Sequence, residues 1–322
     1  MLYWFVIIGI ITLLSCIPKS IICETEIADH IKAIGAKFRE NYGEFYDIDP
    51  ELIWMIYEGK DITNERFIYP DFLFLKSFMD GELDCDKMDY LLRDSLYCGV
   101  TYGKYDLDRF VSTLTVFKHN NQLQLAIERG GIQALEEFVL ARYFMFIQVY
   151  FHKTRRYLDK ALVKSLKAVL PGGKYPEDAN EYLQWDDTRI LSLISESENA
   201  DVMAFKNRKI MTCVLESKAH AEKAEKINAR MIFNILQKNF GDSVIYDSVD
   251  KAAHKLTPML LSPQDDSGKG IMILDEKTKE VKNIMEESII LESIVKPISI
   301  NRIYAEKNVA DEVLRKIKEL QS

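Results

Sequence analysis

Asp86, Tyr90 and Asp94 stand at i, i+4 and i+8, a spacing that puts two carboxylates and a phenol on one face of a helix. Lys87 borders that face. Hard cations favour oxygen ligands, and a lysine adds a mobile positive charge, so the group could hold a divalent cation and the phosphates it neutralises. A plainer reading stands beside it: Asp84 and Asp86 favour the start of a helix, and the rest is a solvated face. A second group repeats the spacing. Arg142, Phe146 and Tyr150 also lie at i, i+4 and i+8; arginine can fork two bonds to phosphate oxygens, and tyrosine can pack on a sugar while its hydroxyl stays bonded.

Helices must position both groups. One starts near Cys85, with Met88, Leu91, Leu92 and Leu96 as its apolar stripe. The other runs from about Ile132 to Val163 after the turn at Gly130-Gly131, with Leu135, Phe138, Val139, Phe146 and Val149 at inward spacing. Upstream, Glu24 to Asn41 reads as a helix, Asp49-Pro50 starts another, and Phe72 to Leu75 forms a short one. Downstream, Lys174 to Asp178 breaks the pattern, and Asp186 and Asp187 mark a new helix start. Residues 214–240 read as a charged helix with Lys218, Lys223 and Lys226 on a solvated face. Beyond Phe240 the texture changes: Ser243 to Tyr246, Gly270 to Leu274 and Ile298 to Ile300 read as strands, and Glu306 to Leu320 as a last helix. The polar loop Pro263 to Gly270 lacks the spacing of a P-loop.

The segment LDCDKMDYLLRDSLYCGVTYGKYDLDRF, with ARYFMFIQVYFHKTRR after it, resembles the signature of HD-domain phosphohydrolases of the deoxynucleoside triphosphate triphosphohydrolase type, the group that includes SAM-and-HD-domain enzymes. The resemblance implies a helical HD-domain core, incomplete at its N-terminus, followed by a small C-terminal α+β appendage. It implies hydrolysis of a dNTP to deoxynucleoside and triphosphate, with a divalent metal such as Mn, Mg, Fe or Zn. Under it, Asp86 is the last metal ligand, Lys87 and Arg142 contact phosphate, Tyr90 and Asp94 belong to the sugar and phosphate pocket, and Tyr150 walls the sugar. Asp106 and Arg109 match a structural or phosphate-facing segment, and His152 a structural position. The family's pocket histidine one turn before the tyrosine corresponds here to Phe146. The family also needs an upstream His and an adjacent His-Asp pair. None of the five histidines here is followed by Asp, and only His30 precedes Asp86. A lone carboxylate holds a transition metal poorly, so the expectation is a phosphohydrolase-like chain that does not retain the metal and is inactive by itself; the alternative is a nucleotide-binding or assembly module, tethered to a membrane through residues 1–19 if that segment is an anchor.

Composition bounds these readings. Of 322 residues, 48% are apolar and 29% charged, with only 14 Gly and 8 Pro, which fits a mainly α protein and disfavours sandwiches and barrels. The net charge of −8 argues against nucleic acid held through its backbone; the expected partner is a deoxynucleotide or another phosphorylated small molecule, with homo-oligomers expected from the family resemblance. Five cysteines form no CxxC pair, in keeping with a reducing, cytoplasmic compartment. Residues 1–19 are the exception. Met1 to Ile17 is almost wholly apolar, at the lower limit for crossing a bilayer, and reads either as a membrane anchor or as an artefact of truncation. The domain expectation is therefore 1–19, a partial HD-type core over 20–170, a helical extension over 171–240 and the α+β appendage over 241–322.

Overall fold

The computed structural model describes residues 74–119, 122–176, 178–182, 184–251, 270–294 and 298–321. In chain order the main elements are α1 (Cys85–Tyr97), α2 (Leu107–Ser112), the strands β1 (Leu114–His119) and β2 (Gln122–Glu128), α3 (Ile132–Met145) and α4 (Lys153–Val169). There follow α5 (Asp187–Glu196), α6 (Ala200–Lys206), β3 (Thr212–Glu216), α7 (Lys223–Phe240), β4 (Val244–Lys251), β5 (Met272–Leu274), β6 (Val281–Asn283), β7 (Ile298–Ala305) and α8 (Ala310–Gln321). The chain is mainly helical with a smaller α+β part, as its composition leads one to expect. The helices read over Glu24–Asn41 and from Asp49, the apolar segment 1–19 and most of the loop 263–270 lie outside the described residues. Among the described residues no helix is long and apolar enough to cross a membrane.

Two compact units divide the chain. One comprises Met1–Arg142, Glu177–Ala179 and His254–Val295, the other Tyr143–Pro176, Asn180–Ala253 and Lys296–Ser322. In the first, β1 and β2 form an antiparallel hairpin, β5 adds parallel to β2, and β6 pairs antiparallel with β5. Its core joins Leu91 of α1, Phe110 of α2, Ile127 of β2, and Leu135 and Phe138 of α3, all buried. Phe110 stacks on Phe138 with ring centroids 5.0 Å apart, and Tyr105 meets Phe138 edge-on at 5.1 Å. Gly131 is required where the chain enters α3, because a Cβ there would collide with Thr113.

The second unit is built on the sheet β3-β7-β4, antiparallel throughout. Every residue of β7 is buried, as expected of a central strand covered on both faces. One face packs α7 and α8 through Ile232, Phe233, Leu236, Val313 and Ile317 against Val214, Val244 and Ile303. Phe151 packs with Val249, Ile298 and Ile300. A separate cluster joins α4 to α5 and α6 through Leu166, Ile190, Ile194 and Val202. Asp186 caps α5 by accepting the Arg189 amide at 2.8 Å, the role its position suggests.

Several elements depart from the sequence reading. The helix expected from Ile132 to Val163 is two helices: a π-turn at Phe146–Tyr150 ends the first, and His152 caps the second with its Nδ1 accepting the Thr154 amide. Phe146, Tyr150 and Phe151 pack ring to ring at 5.1 and 5.2 Å in this junction, and the wider π-turn brings these rings together. The charged helix expected from 214 starts only at Lys223, since Thr212–Glu216 is a strand paired to β7 and Lys218 lies in the loop between. Leu96, assigned to the apolar stripe of α1, is 75% exposed, because the buried stripe ends at Ser95. The segment at Phe74 is a 3-10 turn leading into the single turn Ser77–Asp80. The late strands also divide: β4 and β7 join β3 in one unit, whereas β5 and β6 extend the β1–β2 hairpin in the other.

Candidate functional site

The first turn of α1 is fixed by its own sequence. Asp84 is the N-cap and accepts the Lys87 amide at 2.7 Å, meeting one of the helix's unpaired donors. The Lys87 ammonium folds back onto the same carboxylate and donates to the Gly81 carbonyl at 2.8 Å. Both Asp84 and Lys87 are buried. This makes a neutral pair with a further acceptor in the Gly81 carbonyl, the kind of arrangement in which buried charges are tolerated. Lys87 therefore sits on the inner side of α1, in a local ion pair that its place beside the polar face did not suggest.

Asp86 and Tyr90 occupy the half-buried face of α1. Burial pushes the Asp86 carboxyl above the usual carboxylate range, and neighbouring Asp84 adds to the effect. Tyr90 accepts a hydrogen bond from the buried guanidinium of Arg142, which belongs to α3 of the same unit. Burial raises the Tyr90 phenol, and the Arg142 charge opposes that rise. Asp94 lies one turn beyond Tyr90 on the same helix, half-buried. The two segments singled out in the sequence are thus joined through one specific contact, Tyr90 to Arg142.

Four further bonds hold this arrangement. Tyr105 donates to the Met88 carbonyl at 2.9 Å, pinning the middle of α1. Asp106 caps α2 through the Arg109 amide at 2.9 Å, while its own amide donates to Glu137 of α3 at 3.1 Å. Arg109 donates to the Gly130 carbonyl at 2.7 Å at the entry to α3. The Asp106-x-x-Arg109 pattern is therefore a local brace between α2 and α3. Tyr105 was absent from the sequence reading, and only the tertiary contact with Met88 reveals its part.

Tyr150 belongs to the second unit, where it packs edge-on to Phe146 with centroids 5.1 Å apart and the Arg155 guanidinium lies 5.2 Å over its ring. The π-turn breaks the regular spacing that would have aligned Arg142, Phe146 and Tyr150. Among the described residues no group of three or more His, Cys, Asp or Glu side chains converges to hold a metal ion. Asp84, the carboxylate that most raises Asp86, is itself committed to the Lys87 amide and ammonium. The described donor set thus does not fit a divalent metal.

Comparison with known proteins places this geometry. Residues 105–239 match the family model of the HD associated region. An uncharacterised protein of Methanocaldococcus jannaschii is 34% identical over 125 residues, which is 38% of this chain and 26% of that one. An uncharacterised protein of Bacillus subtilis is 28% identical over 146 residues, 45% of this chain and 28% of its own length. The chain thus spans little more than a quarter of these relatives in its matched part. Among solved structures, a hypothetical protein from Aquifex aeolicus superposes with a TM-score of 0.66 at 29% identity, covering 87% of this chain and 68% of the other. A phosphohydrolase from Bacteroides thetaiotaomicron superposes with a TM-score of 0.56 at 22% identity, covering 87% and 71% respectively, and so shares the fold. Residues 105–239 are thus similar to the HD associated region, and the fold is shared with a solved phosphohydrolase.

Proposed function

We propose that the described residues form the phosphate- and sugar-facing wall of a dNTP triphosphohydrolase-type site, and that the chain by itself binds its ligand without hydrolysing it. The observation that carries this reading is the bond from Arg142 to Tyr90 beside Asp86, which joins the two segments that resemble the family signature. A buried guanidinium held by a phenol is a preorganised donor for an anionic oxygen. Lys87 is the second cation of the reading, and it would exchange Asp84 and the Gly81 carbonyl for a phosphate oxygen. Asp94 continues the polar face of α1 one turn beyond Tyr90.

The family's divalent metal would activate the attacking water. Among the described residues no group converges on such a metal, and no histidine in the sequence is followed by Asp. The test is calorimetric binding of dGTP to the full chain, run beside an assay for triphosphate release with Mn2+. Binding weakened at least about tenfold by Arg142→Ala, without release of triphosphate, is the expected result; tenfold corresponds to about 1.4 kcal/mol. Release abolished by Asp86→Ala would overturn the inactive reading, and dGTP binding indifferent to Arg142→Ala would overturn the site.

A further inference from the structure

The second unit contains a cleft of about 1180 Å³ that the preceding reading does not use. Lys223, Lys226 and Arg230 line it from α7 at i, i+3 and i+7, a spacing that puts three cations along one helix face. Ile227 and Met231, 52% and 59% exposed, line it from the same helix. The facing side is hydroxyl-rich, with Tyr246 and Ser248 of β4 and Ser299 of β7. Glu222 is the one acidic residue of the lining, and its side chain is engaged with the backbone of the first α7 turn in a capping box with Glu225. The helix start is therefore self-capped, and the cations, not free backbone amides, set the charge of the cleft.

The walls are built rather than incidental. Tyr246 and Ser248 both donate to Oδ1 of the fully buried Asn301, each at 2.9 Å. The loop before α7 is bonded to β7, with the Ala221 amide donating to the Ser299 carbonyl at 3.0 Å and the Ser299 amide to the Ala219 carbonyl at 2.9 Å. That pairing holds His220 at the rim, where its Nε2 lies 2.9 Å from the Tyr143 hydroxyl and the two rings are parallel within 6°. The Arg230 guanidinium lies 4.9 Å over the Tyr246 ring, so this cation is oriented by the opposite wall. Alternation along β4 sends Asp247 to the other side, where it pairs with Arg156 and Lys160. The buried Asp247 carboxylate is thereby paired away from the cleft.

A net positive, concave surface with fixed hydroxyls and an apolar margin, on a chain of net charge −8, suits a compact polyanion more than an extended backbone. We infer that this cleft binds a small polyphosphate-bearing molecule, with Lys223, Lys226 and Arg230 meeting the phosphates and Ser248 and Ser299 lining the opposite side. The inference is independent of the site at Arg142, which lies in the other unit.

The experiment is calorimetry of inorganic triphosphate and, in parallel, of ATP against the full chain, the Lys226→Glu/Arg230→Glu variant and Arg142→Ala. The expected result is binding that the double charge reversal weakens at least tenfold, that Arg142→Ala leaves in place, and that weakens further as salt is raised. Tighter binding of ATP than of triphosphate assigns a nucleotide, and equal binding assigns the polyphosphate alone; both bear out the site. Binding unchanged by the charge reversal, or absent in the wild-type chain, overturns it. All three cations have exposed or half-exposed side chains, so an unaltered melting curve checks that the variant folds, and Lys223→Ala, which should weaken binding by severalfold, provides a second, milder variant.

Discussion

The two units use the same kinds of residue in opposite ways. In the first, Lys87 and Arg142 are buried and turned onto partners of their own unit, Asp84 and Tyr90. In the second, Lys223, Lys226 and Arg230 line an open cleft, and the buried carboxylate of Asp247 pairs with Arg156 and Lys160. Removing a cation from the first arrangement strands a buried group. In the second, water takes the vacated place. Charge in the first unit therefore governs stability as much as recognition, whereas charge in the cleft governs recognition alone.

The contrast is tested most severely at Lys87. Lys87→Ala leaves the Asp84 carboxylate buried and is expected to cost about 3–5 kcal/mol in urea unfolding, whereas Asp84→Leu with Lys87→Met should recover most of that loss. If the single variant is as stable as the wild type, the pair is not the buried unit described here. Arg142→Ala takes the charged donor from Tyr90 and should cost about 1.5–3 kcal/mol by the same measurement. Asp186→Ala, which removes the cap of α5 in the second unit, should cost about 1 kcal/mol, giving a local reference for a defect that touches no buried charge.

A smaller effect is expected at Asp275. Amides of Thr278 and Lys277 together with Arg129 hold its carboxyl down, to about 2. Because the folded value lies below the unfolded one, this turn's contribution is complete above the ordinary aspartate range and is lost as pH falls through about 2. An NMR titration that finds a midpoint near 4 would show that the turn is not formed. The smallest effect is the most telling for the comparison: Lys223→Ala should change stability by less than about 0.5 kcal/mol while weakening polyanion binding. A large loss of stability would mean that the cleft cations are structural after all.

Much of the helical scaffold is legible in the residues themselves. Asp84 before Cys85 and Asp186 before Asp187 are side chains that can cap a helix from within one turn, so local sequence suffices to start α1 and α5. The strands after Phe240 and the last helix carry period-two and helical patterns of their own. The hairpin at 114–128 was missed although Leu123, Leu125 and Ile127 alternate; its apolar run is short and flanked by helical texture. The strand Thr212–Glu216 could not be read locally, because its partner β7 lies some ninety residues downstream. The break at Phe146–Tyr150 contains neither Pro nor Gly, the usual breakers, and its signature is a cluster of aromatic rings brought together only in three dimensions.

The candidate site divides along the same line. The sequence by itself determined that Asp86, Tyr90 and Asp94 share one face of α1, since helical periodicity fixes direction within a single element. Which side of that helix Lys87 takes, that Arg142 bonds Tyr90, that Tyr150 falls in the other unit, and that Lys223, Lys226 and Arg230 line one cleft with Tyr246, Ser248 and Ser299 were decided only by tertiary structure. The reason is physical: a flexible cation can satisfy itself with water, a near carboxylate or a distant phenol, and only packing of separate segments sets which of these is within reach.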